Sequence, residues 1–302
     1  MNFISRPKIG LALGGGGARG FAHIGVLKVL HQENIHFDVI SGTSAGSLIG
    51  AMYSQLPDPQ TIENRVKEFL ASETYEKLGL RKTFFGKQNS GVFAHLITHL
   101  KETIVINLAR SRNYLIPADK FMTALEYLLE DGFIQDGKVP FCAVASDIIS
   151  GQDVYMMHGP IRSAVLASSS IPGFLPPVER DSRLLLDGAV TQKVPVQAAQ
   201  MMGADSVIAV DVSQELTQGK EFDNILEIIN RTSKITSDQL TYYQMQAADV
   251  VIRPGVGKFH WFEFDRVDQF IEAGEEAARE ALPEIRKIIS RRYVMKKKLF
   301  PV

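Results

Sequence analysis

Twice near its start the chain runs a short apolar stretch into a cluster of small residues and then straight into a helical pattern. Ile9–Leu13 ends in Gly14-Gly15-Gly16-Gly17, after which Phe21, Ile24, Val26, Leu27 and Leu30 recur at helical spacing. The second stretch, 37–41, ends in Gly42-Thr43-Ser44-Ala45-Gly46. Small and apolar residues over 45–53 then open another helix, stopped before Pro57. Strand, tight glycine turn and helix, repeated, restrict the fold to an α/β sheet covered by helices.

The remainder fits that frame. Residues 58–130 read mainly as helices with irregular connections, and strands return at 139–145, 154–157, 184–186 and 207–210. Past Ser213 two long helices are expected, over 222–247 and 267–292, with 249–253 as a short strand between them. No repeat, low-complexity block or linker divides the chain. The reading is a single domain over 1–302, with a core at 8–213 and a helical elaboration over 214–302.

Charge narrows the function. The 33 basic and 34 acidic residues nearly cancel, which removes a bulk electrostatic case for nucleic acid. The one cysteine, Cys142, excludes an intrachain disulfide and, within an apolar run, reads as an inert core thiol. No stretch reaches the roughly 18 apolar residues of a membrane span, and residues 1–8 lack the apolar core of a signal peptide. The expected setting is cytoplasmic, with membrane contact only peripheral, at the inner surface. No His/Cys/Asp cluster has metal-ligand spacing, so neither a metal nor another cofactor is expected. The pattern does not specify an oligomer.

The pentapeptide Gly42-Thr43-Ser44-Ala45-Gly46 fits G-x-S-x-G. By itself it matches a turn with a capping serine equally well; the strand before it and the helix after it favour a nucleophile elbow carrying Ser44. The loop Gly14 to Gly20 leaves amide N–H groups unobstructed. In an acyl hydrolase such groups would stabilise a tetrahedral oxyanion, each worth roughly 3–4 kcal/mol, and the amide of Ala45 would add another. The same loop fits G-x-G-x-x-G. A dinucleotide fold, however, needs an acid ending the second strand; Asp38 begins that strand, and the serine elbow ends it.

A serine hydroxyl needs a proton acceptor. In a Ser–Asp–His chain order the only histidine past Asp187 is His260, in an aromatic stretch without distinctive pattern. His23, beside the glycine loop, is the other histidine to watch. Asp187 is favoured over both: it ends an apolar strand and precedes Gly188-Ala189. An ordinary aspartate, with a pKa of about 3.9, is a poor base, and desolvation would improve it. Asp147, Asp205 and Asp211 also lie near strand ends.

Four blocks, in order, carry a resemblance to the patatin-like phospholipases, most closely bacterial single-domain members. They are Gly15-Gly16-Gly17-Ala18-Arg19-Gly20, Gly42-Thr43-Ser44-Ala45-Gly46, Ala167-Ser168-Ser169-Ser170-Ile171-Pro172 and Asp187-Gly188-Ala189. The resemblance covers 8–213. It implies a three-layer α/β/α sandwich with a mostly parallel central sheet, and a Ser–Asp dyad at Ser44 and Asp187. It also implies an oxyanion hole at Gly15, Gly16 and Gly17, and calcium-independent hydrolysis of acyl esters in lipids. Gly20, Gly42, Gly46 and Gly188 are then motif glycines. Where many members have Gly-Gly after the aspartate, this chain has Gly188-Ala189.

Two rival readings stand beside it: a Ser–His–Asp esterase using His260, and a regulatory or adaptor protein that keeps the scaffold. Three weaker features complete the sequence. Arg19 either meets a substrate phosphate or pins the glycine loop, with the structural role slightly favoured. The apolar region 84–106 reads as a lid or as core packing. The basic tail over 291–300 reads as a solvated end or a lipid contact.

Overall fold

The computed structural model describes residues 7–79, 114–216, 222 and 225–299. The region 84–106 lies outside the described residues, as do the side chains of 291–300.

The described strands are β1 (Ile9–Leu13), β2 (Val39–Thr43), β3 (Phe141–Asp147), β4 (Asp153–Met156), β5 (Val178–Arg180), β6 (Arg183–Asp187), β7 (Ser206–Val210) and β8 (Val250–Ile252). The described helices are α1 (Ala22–Gln32), α2 (Ala45–Gln55), α3 (Pro59–Leu70), α4 (Glu73–Leu78), α5 (Ala118–Leu128), α6 (Ile161–Ser168), α7 (Val196–Met201), α8 (Ile225–Met245) and α9 (Val267–Leu299). A parallel core runs β3-β2-β1-β7-β8, and β4, β5 and β6 join it antiparallel. The sheet is thus mixed and mostly parallel, as expected.

Alternation along the strands makes the layers. Ile9, Leu11 and Leu13 of β1, with Ile40, Phe141 and Ile208, pack into one large core beneath α1, α2, α3 and α9. Ala12, Val39, Val207 and Ala209 face the other way, onto Val194, Val196 and Ala199 around α7. Both faces are covered, which is why these strands read as continuous apolar runs. The C-terminal region takes part in this core: β8 extends the sheet beside β7, and Phe270, Ile271, Ala278 and Ile285 of α9 are buried in the larger cluster. Cys142 is fully buried on the α7 side, and burial pushes its thiol pKa up to about 12.

One detail of register builds the site. Strand β3 pairs with β4 along one edge, from Ala143↔Met156 to Ser146↔Asp153. Its other edge is shared: β2 pairs as far as Thr43↔Val144, and β6 takes over from Ala145↔Asp187. The two strands run toward each other along that edge, so their C-terminal ends meet.

Four elements differ from expectation. Strand β2 starts later and runs through Gly42 and Thr43, so the turn is confined to Ser44. The three-residue β5 and the short α6 and α7 have too few periodic positions to be read from sequence.

Candidate active site

Ser44 follows β2 with φ 54° and ψ −123°, a backbone conformation costing a non-glycine residue about 1–3 kcal/mol, and α2 begins at the next residue. The surroundings hold it there. The Ser44 N–H donates to Ser168 Oγ at 3.0 Å, and the Ser168 hydroxyl donates to the Val144 carbonyl at 2.6 Å. Ser47 Oγ donates to the Ser44 carbonyl at 2.7 Å, and Thr43 Oγ1 donates to Gln192 O at 2.9 Å. Gly46 is required, because a Cβ there would collide with the Leu13 carbonyl. The result is a nearly buried serine at a sharp strand-to-helix turn.

Asp187, arriving from β6, is 3% exposed and lies on the same cavity wall as Ser44, close enough for the serine side chain to influence its carboxylate. Its Oδ1 also accepts the Ala189 N–H at 2.8 Å. Backbone bonds fix the strand end: Asp187 N–H to Ser170 O at 2.9 Å, and Ser146 Oγ to Asp187 O at 3.1 Å. Burial raises the carboxyl pKa from its usual range to about 6, against the opposing pull of the Ser44 side chain, the Ala189 N–H and the Lys193 charge. Gly188 packs against the Val144 carbonyl, where a Cβ would not fit.

The glycine loop is only partly available as a donor set. Gly14 N–H donates to Val210 O at 3.0 Å, and Gly15 N–H donates to Lys193 O at 2.9 Å. The expectation that Gly15 contributes an oxyanion donor is therefore corrected: its N–H is committed to holding the loop against residue 193. Among the described residues, the N–H groups of Gly16, Gly17 and Ala45 donate to no partner. Gly17 has φ +58°, and a Cβ there would strike the Trp261 carbonyl. Gly20 packs on the Ala45 Cβ. Arg19 is buried; its Nε donates to Val212 O and its Nη1 to Phe259 O, each at 2.9 Å. Those bonds give it the loop-pinning role, and burial lowers its pKa to about 10.

Two cavities meet at Ser44. The inner one has apolar walls from α2, α3, α5 and the 171–175 and 261–264 segments, among them Leu48, Phe69, Leu125, Leu175 and Phe264. The outer one is bounded by Gly15, Gly16, Arg19, Asp187, Val190 and Lys193. Gly17, Ser44, Ile171, Phe174 and Trp261 line both.

A family model described as Patatin-like phospholipase matches residues 11–199, well over half of the chain. The chain belongs to the patatin-like phospholipases. It is 29% identical over 293 residues to patatin-like phospholipase domain-containing protein 6 of Mus musculus, covering 88% of this chain and 20% of that protein. It is 30% identical over 212 residues to an uncharacterized NTE family protein of Mycobacterium tuberculosis, covering 69% of this chain and 50% of that one. The chain thus spans between a fifth and a half of the length of these curated relatives. Among solved structures, VipD from Legionella pneumophila aligns with a TM-score of 0.44 at 12% identity, over 92% of this chain and 67% of its own.

In this patatin-like chain the two candidate histidines, His23 and His260, stand apart from the serine. His260 is exposed, stacked on Phe262 with ring centroids 5.3 Å apart, and lines neither cavity. His23 is fully buried behind the loop, with Nε2 at 2.8 Å from Gly14 O, and burial drops its pKa to about 4. The other candidate aspartates are engaged elsewhere: Asp147 accepts the Ile149 N–H and Asp211 the Ser213 N–H within turns, and Asp205 accepts the Lys8 N–H at the start of the sheet.

Sequence reasoning missed two residues. Ser168 lies inside a quoted motif, yet no spacing rule shows that its hydroxyl braces the elbow. Lys193 lines the outer cavity; the available signal was a lone cation shortly after Asp187. No helix among the described residues is long and apolar enough to cross a membrane.

Proposed function

We propose that this patatin-like chain is a serine acyl hydrolase of lipid esters, with Ser44 as nucleophile and Asp187 as its base. The observation that carries the reading is the placement of a strained, buried Ser44 beside a buried Asp187 at the junction of an apolar chamber and a polar vestibule. The acyl chain occupies the chamber, and the ester carbonyl lies at the strained serine. Ser44 Oγ attacks the carbonyl carbon while its proton passes to Asp187. Charge forming on the carbonyl oxygen is met by N–H groups of Gly16, Gly17 and Ala45, with the α2 N-terminus favouring the same sign. Asp187 then returns the proton to the departing alcohol. In the second half a water gives its proton to Asp187 and attacks the acyl-serine; the fatty acid leaves as Asp187 returns that proton to Ser44 Oγ.

A carboxylate with a pKa near 6 suits this role better than an ordinary aspartate, because it is more basic and still ionised at neutral pH. The setting that fits is the cytoplasmic side of a lipid surface, touched peripherally, with no metal or other cofactor needed for the steps above. Purified protein assayed against a panel of phospholipids, lysophospholipids and acylglycerols tests the reading, with fluorophosphonate labelling of Ser44 alongside. Hydrolysis and labelling should both vanish in Ser44→Ala. Folded protein that neither labels nor hydrolyses would leave the adaptor reading standing.

A further inference from the structure

The chamber and the vestibule treat the two halves of an ester differently. An acyl chain in the chamber leaves its carbonyl at Ser44 and sends its alcohol portion into the vestibule, where Lys193 waits. The Lys193 carbonyl accepts the Gly15 N–H, so its backbone is fixed to the glycine loop, and its half-buried side chain lines the vestibule. Among the described residues the Lys193 ammonium makes neither a hydrogen bond nor an ion pair.

The surrounding groups are already committed. Asp238 is ion-paired with Lys234, Asp211 accepts the Ser213 N–H and faces Arg253 at 3.7 Å, and Asp187 accepts the Ala189 N–H beside Ser44. Arg19, the vestibule's second cation, spends Nε and Nη1 on two carbonyls. Burial, reinforced by the Lys234 and Arg19 charges and resisted by Asp238 and Asp211, draws the Lys193 pKa below its ordinary value. A desolvated ammonium among other cations carries a cost, which an anion arriving with the ligand would relieve.

We propose that Lys193 is an anion subsite on the alcohol side of Ser44, selecting lipid esters whose alcohol portion bears a phosphate or carboxylate. The inference rests on the acyl-hydrolase reading, and the chemistry it adds is the charge on the leaving alcohol. Arg19 contributes to the local field, while Lys193 supplies the N–H donors.

The test compares two ligands of equal chain length, lysophosphatidate and a neutral monoacylglycerol. Their binding to Ser44→Ala protein is measured by calorimetry with Lys193 intact, and again with Lys193→Gln or Lys193→Arg added. Charge-assisted hydrogen bonds predict that Lys193→Gln reduces the preference for lysophosphatidate about tenfold or more, and that Lys193→Arg restores most of it. In active protein the same ratio should fall in kcat/KM, mainly through KM. Equal weakening of both ligands would show that Lys193 only supports the fold or Asp187, and an unchanged ratio would remove the subsite; either result overturns the proposal. A parallel titration with inorganic phosphate separates sources: Lys193-dependent phosphate binding with an unchanged lipid ratio assigns the site to a free ion and also overturns it. Failure of the wild type to cleave either ester counts against the hydrolase reading alone, because the binding ratio still judges Lys193.

Discussion

Ser168 Oγ accepts the backbone N–H of Ser44 at 3.0 Å and donates its own O–H to the Val144 carbonyl of β3 at 2.6 Å. One hydroxyl thus ties the strained turn to the strand that also carries β6. Replacing Ser168 by Ala leaves a buried N–H and a buried carbonyl without this partner, at a cost of about 1–3 kcal/mol. The expected outcome is a Tm lower by several degrees and a kcat lower by about tenfold, because the elbow is no longer clamped. Ser170→Ala is the control, since the Ser170 hydroxyl only returns to the Leu166 carbonyl within its own turn. Calorimetry and steady-state kinetics on both variants decide the matter; equal effects would deny Ser168 its special place.

Asp187→Asn should reduce acylation by several orders of magnitude, because an amide cannot take the serine proton and members of such units fail together. His260→Ala, altering an exposed ring, should keep most of the activity. Burst kinetics with a chromogenic ester measure both. A folded His260→Ala protein as inactive as Ser44→Ala would return the base to histidine.

The raised Asp187 pKa has consequences for rate and for stability, with opposite signs. Activity needs the ionised carboxylate, so kcat/KM should rise as pH passes through about 6 and level off above it. For stability, the folded-state pKa lies above the unfolded one. Between about 4 and 6 the unfolded chain has lost the proton that the folded chain keeps, so this group's contribution is full below about 4 and is lost as pH rises through about 6. The loss amounts to about 3 kcal/mol at most. Asp187→Asn should therefore unfold at a higher temperature than wild type at pH 7, with the gap closing at pH 4. Thermal melts at the two pH values check this, and a variant less stable than wild type at pH 7 would contradict the burial argument.

What could be read from sequence depended on how locally each feature is encoded. The serine elbow was legible because Gly42 and Gly46 flank Ser44 at fixed offsets, and the close approach of Leu13 explains why Gly46 must stay glycine. The glycine loop was legible as a loop, but its donors were not: only the three-dimensional pairing of Gly15 with residue 193 reveals which N–H is spent. Asp187 stood out from Asp147, Asp205 and Asp211 by its neighbours, whereas its meeting with Ser44 depends on a register that no local pattern records. The same holds for Lys193, whose backbone meets Gly15 and whose side chain enters the vestibule only in the folded chain.

The shared edge of β3 also sets an order of events in time. Ser44 directly follows the second strand and Asp187 ends the sixth, so a ribosome releases the hydroxyl long before the carboxylate beside it. A chain still being translated, or cut short before β6, presents the serine without its acid and without the strand that seals the edge. Pairing of the two groups therefore reports that the last piece of this edge has docked.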